Sequence, residues 1–282
     1  MTAPGPAIRI DSASNPRVRA ALALRNRRDR ETARRTLVDG AREATRAVDA
    51  GIRILAAYLV ADGASEAARS AARAAVAAGA ELVELGPRAF ERLAYGDRAD
   101  GIVLEVEAPL TSLETLALGL LDHPPLLVVT EDVEKPGNLG AILRSADGAG
   151  ADGVIAVGGT DVYNPNVIRA SAGTVFAVGL ATAPADRARA WLREQDVQVV
   201  AARVDGSRLY TEANLTGPLA ILLGSEAAGL SDTWRGPDIE AVRLPMLGMA
   251  DSLNVAAAGA ILLYEARRQR DAAETGDTGI PT

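Results

Sequence analysis

Three short stretches carry polar residues of a kind that could do chemistry. The first, residues 131–144 (EDVEKPGNLGAILR), follows an apolar run over 126–130 with the length and branching of a buried strand. Pro136 and Gly137 should break that strand, Asn138 is a good helix cap, and Leu139, Ile142 and Leu143 supply helical spacing. A strand, a glycine turn and a helix start gather free backbone N–H groups, a natural seat for a ligand. Asn138 then lies in the turn and Arg144 nearly two turns along the helix. An ordinary capped helix with a solvated arginine would read the same way. The second stretch, Gly224-Ser225-Glu226-Ala227-Ala228-Gly229, directly follows the apolar LAILL. Its glycines permit close backbone approach, and Glu226 near a helix start would be favoured by the dipole. A glycine turn with a capping acid is the plainer alternative. The third is Leu244-Pro245-Met246 with Asp251-Ser252-Leu253-Asn254-Val255, where Ser252 fits an N-cap and Asn254 a first-turn position.

The elements that must position these stretches alternate along the chain. Helices are expected over 15–28 (Asn15 as cap, Pro16 first), 41–50 and 65–78, with a further helix opening at Pro87. Strands are expected at 37–38, 52–60, 81–85 and 102–106, making a compact αβ unit of ordinary domain size. Residues 109–125, with Pro109, Pro124 and Pro125, read as a connection with room for a helix of its own. Beyond it the pattern is strand 153–157, helix 164–172, strand 175–180, helix 184–195, then strands 197–202, 219–223 and 241–244. A C-terminal helix follows over 253–268, with Val255, Ala258 and Leu262 on one face. Such alternation predicts an α/β domain with a mostly parallel sheet, and ligands bind outside the carboxyl ends of its strands. The loops 131–138, 224–232 and 245–252 all meet that description. The domains expected are 1–108, a linker 109–125, and 126–282. From Asp271 onward the tail is polar and is expected to be disordered.

Composition narrows the chemistry. The 282 residues include no cysteine, which removes disulfides and thiolate nucleophiles, and a single histidine, His123, set before Pro124-Pro125 in a structural position. A zinc site is not expected and no metal is assigned, although an all-carboxylate magnesium site stays open. No apolar run approaches a membrane span and the N-terminus lacks an apolar signal region, so a soluble cytoplasmic protein is expected. The net charge is −7, yet residues 1–50 hold eleven arginines against six Asp or Glu. Eight of those arginines fall between Arg17 and Arg35. Arg25, Arg27, Arg28, Arg30, Arg34 and Arg35 are the candidates for phosphate-backbone contact; a solvated face in a chain with one lysine, Lys135, is the alternative.

Taken together the three stretches are specific. Asn138-Leu139-Gly140-Ala141-Ile142-Leu143-Arg144, Gly224 to Leu230, and Leu244-Pro245-Met246 with Ser252-Leu253-Asn254-Val255-Ala256 resemble the three ordered motifs of the SpoU/TrmH family. These are 2′-O-ribose RNA methyltransferases of the SPOUT class, and the match spans residues 126–268. The N-terminal unit, with Thr36-Leu37-Val38-Asp39-Gly40 and residues 47–51, looks like the family's L30e-like RNA-binding domain. The resemblance implies a C-terminal parallel sheet threaded into a deep trefoil knot, which periodicity alone would never suggest. It also implies a homodimer with each active site near the subunit interface, and S-adenosylmethionine bound in a bent shape, largely through backbone groups. By motif, Leu222, Gly224, Leu244, Met246 and Leu253 should line the cofactor pocket. Asn138, Arg144, Glu226, Ser252 and Asn254 should form the catalytic site, with Glu226 serving either the site or the interface.

The chemistry implied is methyl transfer from a sulfonium to a ribose 2′-hydroxyl, in which alignment of an in-line attack is the main task. An arginine is a poor general base because its guanidinium stays protonated in proteins, so Arg144 is expected to hold phosphate and stabilise developing alkoxide. The Arg-rich N-terminus favours structured RNA, with 23S rRNA first. With two Trp, two Phe and five Tyr, shape and phosphate contacts should outweigh base stacking. The Ala, Arg and Gly bias suggests a high-GC genome. In that setting the chain is similar to the antibiotic-resistance branch, the thiostrepton and avilamycin resistance methyltransferases, and the avilamycin type acts on a uridine ribose. A housekeeping rRNA or tRNA methylase and a non-catalytic RNA-binding protein are the alternatives. A dinucleotide-binding dehydrogenase is disfavoured, since PGNLGA and GSEAAG both miss the G-x-G-x-x-G spacing.

Overall fold

The computed structural model describes residues 8–94, 100–226 and 228–276. It divides into two compact units, one of residues 1–109 and 161–177 and the other of 110–160 and 178–282. In the first unit the order is β1 (Ile8–Ile10), α1 (Pro16–Ala23), α2 (Arg27–Ala33), β2 (Arg35–Asp39), α3 (Ala41–Asp49), β3 (Ile54–Val60), α4 (Glu66–Ala77), β4 (Glu81–Leu85), α5 (Pro87–Leu93) and β5 (Ile102–Glu107). These strands form a five-stranded sheet in the order β1-β4-β3-β5-β2. Its core holds Val18, Leu37, Tyr58, Val83, Leu85, Leu93 and Val103.

The remaining elements are β6 (Leu126–Glu131), α6 (Pro136–Gly148), β7 (Gly153–Val157), α7 (Pro165–Ala170), β8 (Gly179–Ala183), α8 (Ala185–Glu194), β9 (Gln198–Ala202), β10 (Arg208–Leu209), β11 (Leu219–Leu223), β12 (Ile239–Arg243) and α9 (Val255–Thr275). Here seven strands run β10-β12-β9-β11-β6-β7-β8, every pair parallel. Central strands of such a sheet are covered on both faces and read as continuous apolar runs. Every residue of β6, β7 and β11 is indeed buried. α9 lies against β11 and α6 because Gly259 has no Cβ: one added there would sit 2.8 Å from Leu223 Cδ1 and 3.9 Å from Ile142 Cγ1.

Several expectations need correction. The helix expected over 15–28 is two. Leu24 ends α1, and Asn26 turns extended, its side-chain oxygen accepting the Arg28 backbone N–H at 2.9 Å to start α2. The strand expected over 175–180 begins later, as β8 from Gly179, because a 3₁₀ turn, Thr174–Phe176, takes up its first residues. The three-residue β1 escaped the sequence pattern, being too short to show periodicity. The C-terminal helix runs through the segment expected to be disordered from Asp271, up to Thr275, and residues 277–282 lie outside the described ones. Residues 109–125 carry two 3₁₀ turns, Leu113–Thr115 and Leu118–Leu120. His123 bridges the carboxylates of Asp122 and Asp152, at 3.0 and 2.9 Å.

Arg270, buried near the end of α9, donates to the carbonyl oxygens of Pro124, Pro125, Leu215 and Gly217. It ties the helix to the chain entering β6 and β11. We expect Arg270→Ala to lower unfolding stability by about 3 kcal/mol, since truncation removes four hydrogen bonds made by one buried guanidinium. Denaturant melts would check this, and an unchanged midpoint would show that the clamp contributes nothing.

Candidate functional site

Because β6, β11 and β12 are parallel, their carboxyl ends lie along one rim, and the loops that follow them share it. β6 passes to α6 through Lys135 as N-cap and Pro136 in the first turn. Proline suits that position because the missing N–H would have no partner there. Asn138 is therefore inside the first turn rather than the cap, which leaves its side chain free for other work. After β11, Gly224 approaches the backbone of Gly229 so closely that a Cβ would stand 2.6 Å from the Gly229 carbonyl carbon. Ser225 and Gly229 exchange backbone hydrogen bonds at 3.1 and 3.0 Å. Glu226 thus stands in a tight turn and not at a helix start as expected; Ala227 of this motif lies outside the described residues. After β12, the N-cap of α9 is Asn254, not Ser252: the Asn254 side-chain oxygen accepts the N–H of Ala256 at 3.0 Å and of Ala257 at 3.3 Å.

The three loops meet in one hydrogen-bond network. Asn138 Nδ2 donates to Glu226 Oε1 at 2.7 Å. Asn254 Nδ2 donates to Asn138 Oδ1 at 3.0 Å and to Glu226 Oε1 at 3.1 Å. Lys135 Nζ closes the network on Glu226 Oε2. The Lys135 ammonium, and after it the Asn138 amide, hold the Glu226 carboxyl below its ordinary range. Three of the five expected catalytic residues are therefore in mutual contact. Ser252 lines the adjoining cavity. Arg144 is exposed on α6, and its guanidinium has no hydrogen-bond or ion-pair partner among the described residues.

Beside this network opens a cavity of about 540 Å³, within the usual range for small-molecule sites. Gly224, Leu244, Met246 and Leu253, four of the residues proposed from sequence for cofactor binding, line it together with Glu226. Leu222 does not: it is fully buried in the core with Val129, Ile155 and Trp234. The lining also includes Arg203, Asp205, Arg235 and Asp251, which sequence reasoning missed. Apolar walls suit a purine ring. Carboxylates suit a sulfonium and an α-ammonium group, and arginines suit an α-carboxylate. The residues present fit S-adenosylmethionine. Among the described residues, no group of three or more His, Cys, Asp or Glu could hold a metal. No helix among them is long and apolar enough to cross a membrane.

The arginines singled out near the N-terminus divide. Arg30 departs from the expectation. It is buried, and its guanidinium is engaged with the Leu24 and Arg25 carbonyls and the Asp161 carboxylate, so it is not presented to solvent. Arg25 donates to the carbonyls of Leu93 and Ala94, Arg27 pairs with Glu31, and Arg35 pairs with Glu105, all three remaining exposed. Arg28 and Arg34 are exposed with no side-chain partner among the described residues.

A knot of amide and carboxylate groups on a parallel-sheet rim beside an apolar-walled cavity defines the class. The SpoU rRNA Methylase family profile matches residues 125–264, and the MRM3-like substrate binding domain matches residues 15–104. The chain belongs to the SpoU rRNA methylase family, and is by class an S-adenosylmethionine-dependent RNA 2′-O-ribose methyltransferase.

Among particular relatives, it is 32% identical to the 23S rRNA (uridine(2479)-2′-O)-methyltransferase of Streptomyces viridochromogenes, over 97% of this chain and 96% of that one. It is 33% identical to the 23S rRNA (guanosine-2′-O-)-methyltransferase RlmB of Coxiella burnetii, over 78% and 90%. Among solved structures, the SpoU methyltransferase AviRb from Streptomyces viridochromogenes with AdoMet superposes with a TM-score of 0.83 at 31% identity, covering 91% of this chain and 98% of that one. An AdoMet-bound rRNA methyltransferase from Sinorhizobium meliloti gives 0.83 at 32% identity, covering 94% and 98%.

The network yields a prediction about Lys135. In the native protein Glu226 should titrate below its ordinary value near 4.5, and its bonds to Lys135 and Asn138 are lost only as pH falls through that lowered value. Lys135→Met should move the titration up towards 4.5, as followed by carboxyl-carbon NMR. An unmoved titration would show that Lys135 does not hold the carboxylate in solution.

Proposed function

We propose that this protein methylates the ribose 2′-hydroxyl of a uridine in 23S rRNA. The observation that carries the reading is the Asn138–Glu226–Asn254 network beside the cavity, with Arg144, on the same helix as Asn138, lacking a partner among the described residues. The choice of uridine is supported by the Streptomyces relative matching over 97% of the chain, against 78% for the guanosine-specific one quoted above.

The cofactor, when bound, supplies an activated methyl group. In the transfer the sulfur–carbon bond breaks as the 2′-oxygen–carbon bond forms, and the hydroxyl proton must leave. Glu226 is a poor acceptor for it, because the bonds that lower its pKa also lower its basicity. We assign it instead to fixing the Asn138 and Asn254 amides, which orient the ribose, with Ser252 completing the wall and the proton leaving late or through water. Arg144 holds the neighbouring phosphate and stabilises developing negative charge on the 2′-oxygen. Gly224, Leu244, Met246 and Leu253 form the cofactor pocket.

Residues 1–108 form the RNA substrate-binding domain in this reading, 109–125 the linker and 126–282 the catalytic domain. The match to a substrate binding domain over 15–104 supports it. Arg25, Arg27, Arg28, Arg34 and Arg35 supply phosphate contacts. The reading includes a homodimer and a trefoil knot, which the family resemblance implies, together with a cytoplasmic location and a role in resistance to a ribosome-targeting antibiotic such as avilamycin.

Labelled methyl transfer from S-adenosylmethionine to 23S rRNA, 16S rRNA and tRNA in parallel tests the reading. Labelling of 23S rRNA alone, at a uridine whose 3′ bond resists alkali, is the expected result. Labelling of tRNA alone, or of a guanosine, would contradict it. Arg144→Ala should abolish turnover, by about a thousandfold or more, while leaving S-adenosylmethionine affinity nearly intact. Calorimetric titration checks the second half, and loss of cofactor binding would overturn the role given to Arg144.

A further inference from the structure

Glu131 ends β6, a strand otherwise made of Leu, Val and Thr, and its side chain is buried. No cation pairs with it among the described residues. Instead its two oxygens take three hydrogen bonds from one segment a hundred residues further on. Oε2 accepts the Ser231 backbone N–H at 2.7 Å; Oε1 accepts the Ser231 hydroxyl at 2.7 Å and the Trp234 indole N–H at 3.0 Å. Trp234 is itself fully buried, in the core cluster that contains Leu222 and Val129.

The clamp sits at an informative place in the chain. Leu230, immediately before Ser231, lines the cavity, and so does Arg235, immediately after Trp234. Among the described residues from Gly224 to Arg235 there is no α-helix or ladder strand. The segment is closed on itself by the Ser225–Gly229 bonds and a single 3₁₀ turn, Asp232–Trp234. β11 fixes one end of this wall and Glu131 the other. A buried acid without hydrogen bonds would be costly, and an apolar side chain could fill the same space. Two oxygens accepting three donors from one short segment set that segment's position along and across the strand end.

We propose that Glu131 is a positioning residue for cofactor binding: it holds residues 230–235 as the far wall of the cavity. This rests on the placement of S-adenosylmethionine in that cavity. Glutamine at position 131 would be nearly isosteric but offers one acceptor oxygen and an NH₂ donor. With its oxygen toward the Ser231 N–H, the NH₂ can donate to the Ser231 hydroxyl but faces the Trp234 N–H, donor against donor. Glu131→Gln should therefore displace Trp234, and Trp234→Phe in the same chain should relieve the conflict.

The test is calorimetric titration of S-adenosylmethionine into the full-length protein. Glu131→Gln should weaken binding by about tenfold, and Glu131→Gln/Trp234→Phe should regain most of that loss. Steady-state methyl transfer should show the loss as a raised KM for S-adenosylmethionine with kcat largely kept, a split that general destabilisation would not give. Wild-type affinity in Glu131→Gln, or no recovery in the double variant, overturns the proposal. If Glu131→Gln does not fold, Ser231→Ala decides, since it removes one of the three donors to Glu131 without setting donor against donor: raised KM at constant kcat supports the proposal and unchanged KM overturns it. Gly224→Ala separates the two levels, because its Cβ would strike the Gly229 backbone in the cavity wall itself. Unchanged cofactor affinity in Gly224→Ala would mean the cavity is not the cofactor site, and both readings fall. Loss in Gly224→Ala without loss in Glu131→Gln would remove only the role of Glu131.

Discussion

Parallel pairing of β6 with β11, and of β12 through β9, is the constraint on which everything at this site depends. Parallel strands all end on the same side, so three loops spread over more than a hundred residues of chain are delivered to one rim. The rim alone gives only proximity. Register gives contact: Thr130 stands opposite Leu223, so Glu131 and Gly224 are the next positions on neighbouring strands. From there one chain turns into α6 and the other into the Ser225–Gly229 loop. The amides of Asn138 and Asn254 then reach the same Glu226 oxygen.

The network is electrostatically lopsided, and this shapes its chemistry. Glu226 is exposed and draws on one ammonium and two amides, so its charge is well satisfied and its proton affinity reduced. Asn254 has two tasks at once, its oxygen capping α9 and its amide nitrogen reaching Asn138 and Glu226. The helix start and the polar cluster are thus fixed by one side chain. Arg144 is the exception, an exposed cation without a partner among the described residues, on a helix whose other polar residue at the site is fully engaged. An RNA phosphate is the kind of group that would complete it.

Much of this was legible in the sequence because it is local. The runs at 81–85, 153–157 and 219–223 have the composition of strands and are strands at those bounds. Gly224 announced a close backbone approach. What was not legible depends on distance or on competition between neighbours. Asn138 has the chemistry of a cap, but Pro136 starts the helix two residues earlier and releases it. Ser252 fits a cap and Asn254 a first-turn position by spacing, and only the geometry of the chain entering α9 makes Asn254 the cap. Leu222 sits in the right strand, yet alternation turns it into the core. Arg30 belongs to a basic run but spends its charge internally. Glu131 and Lys135 were readable only as anomalies, an acid closing an apolar strand and the one lysine of an arginine-rich chain. Their partners lie about a hundred residues away.

In the proposed reaction the walls of the cavity hold the methyl donor beside the Asn138–Glu226–Asn254 cluster. A crystal structure of the protein with S-adenosylmethionine tests this most directly. The cofactor is expected between Gly224, Met246 and Leu253, with its methyl group turned toward the side of the cavity where Glu226 stands. A cofactor bound elsewhere, or one seated there with its methyl facing Arg203 and Arg235 instead, would contradict this arrangement.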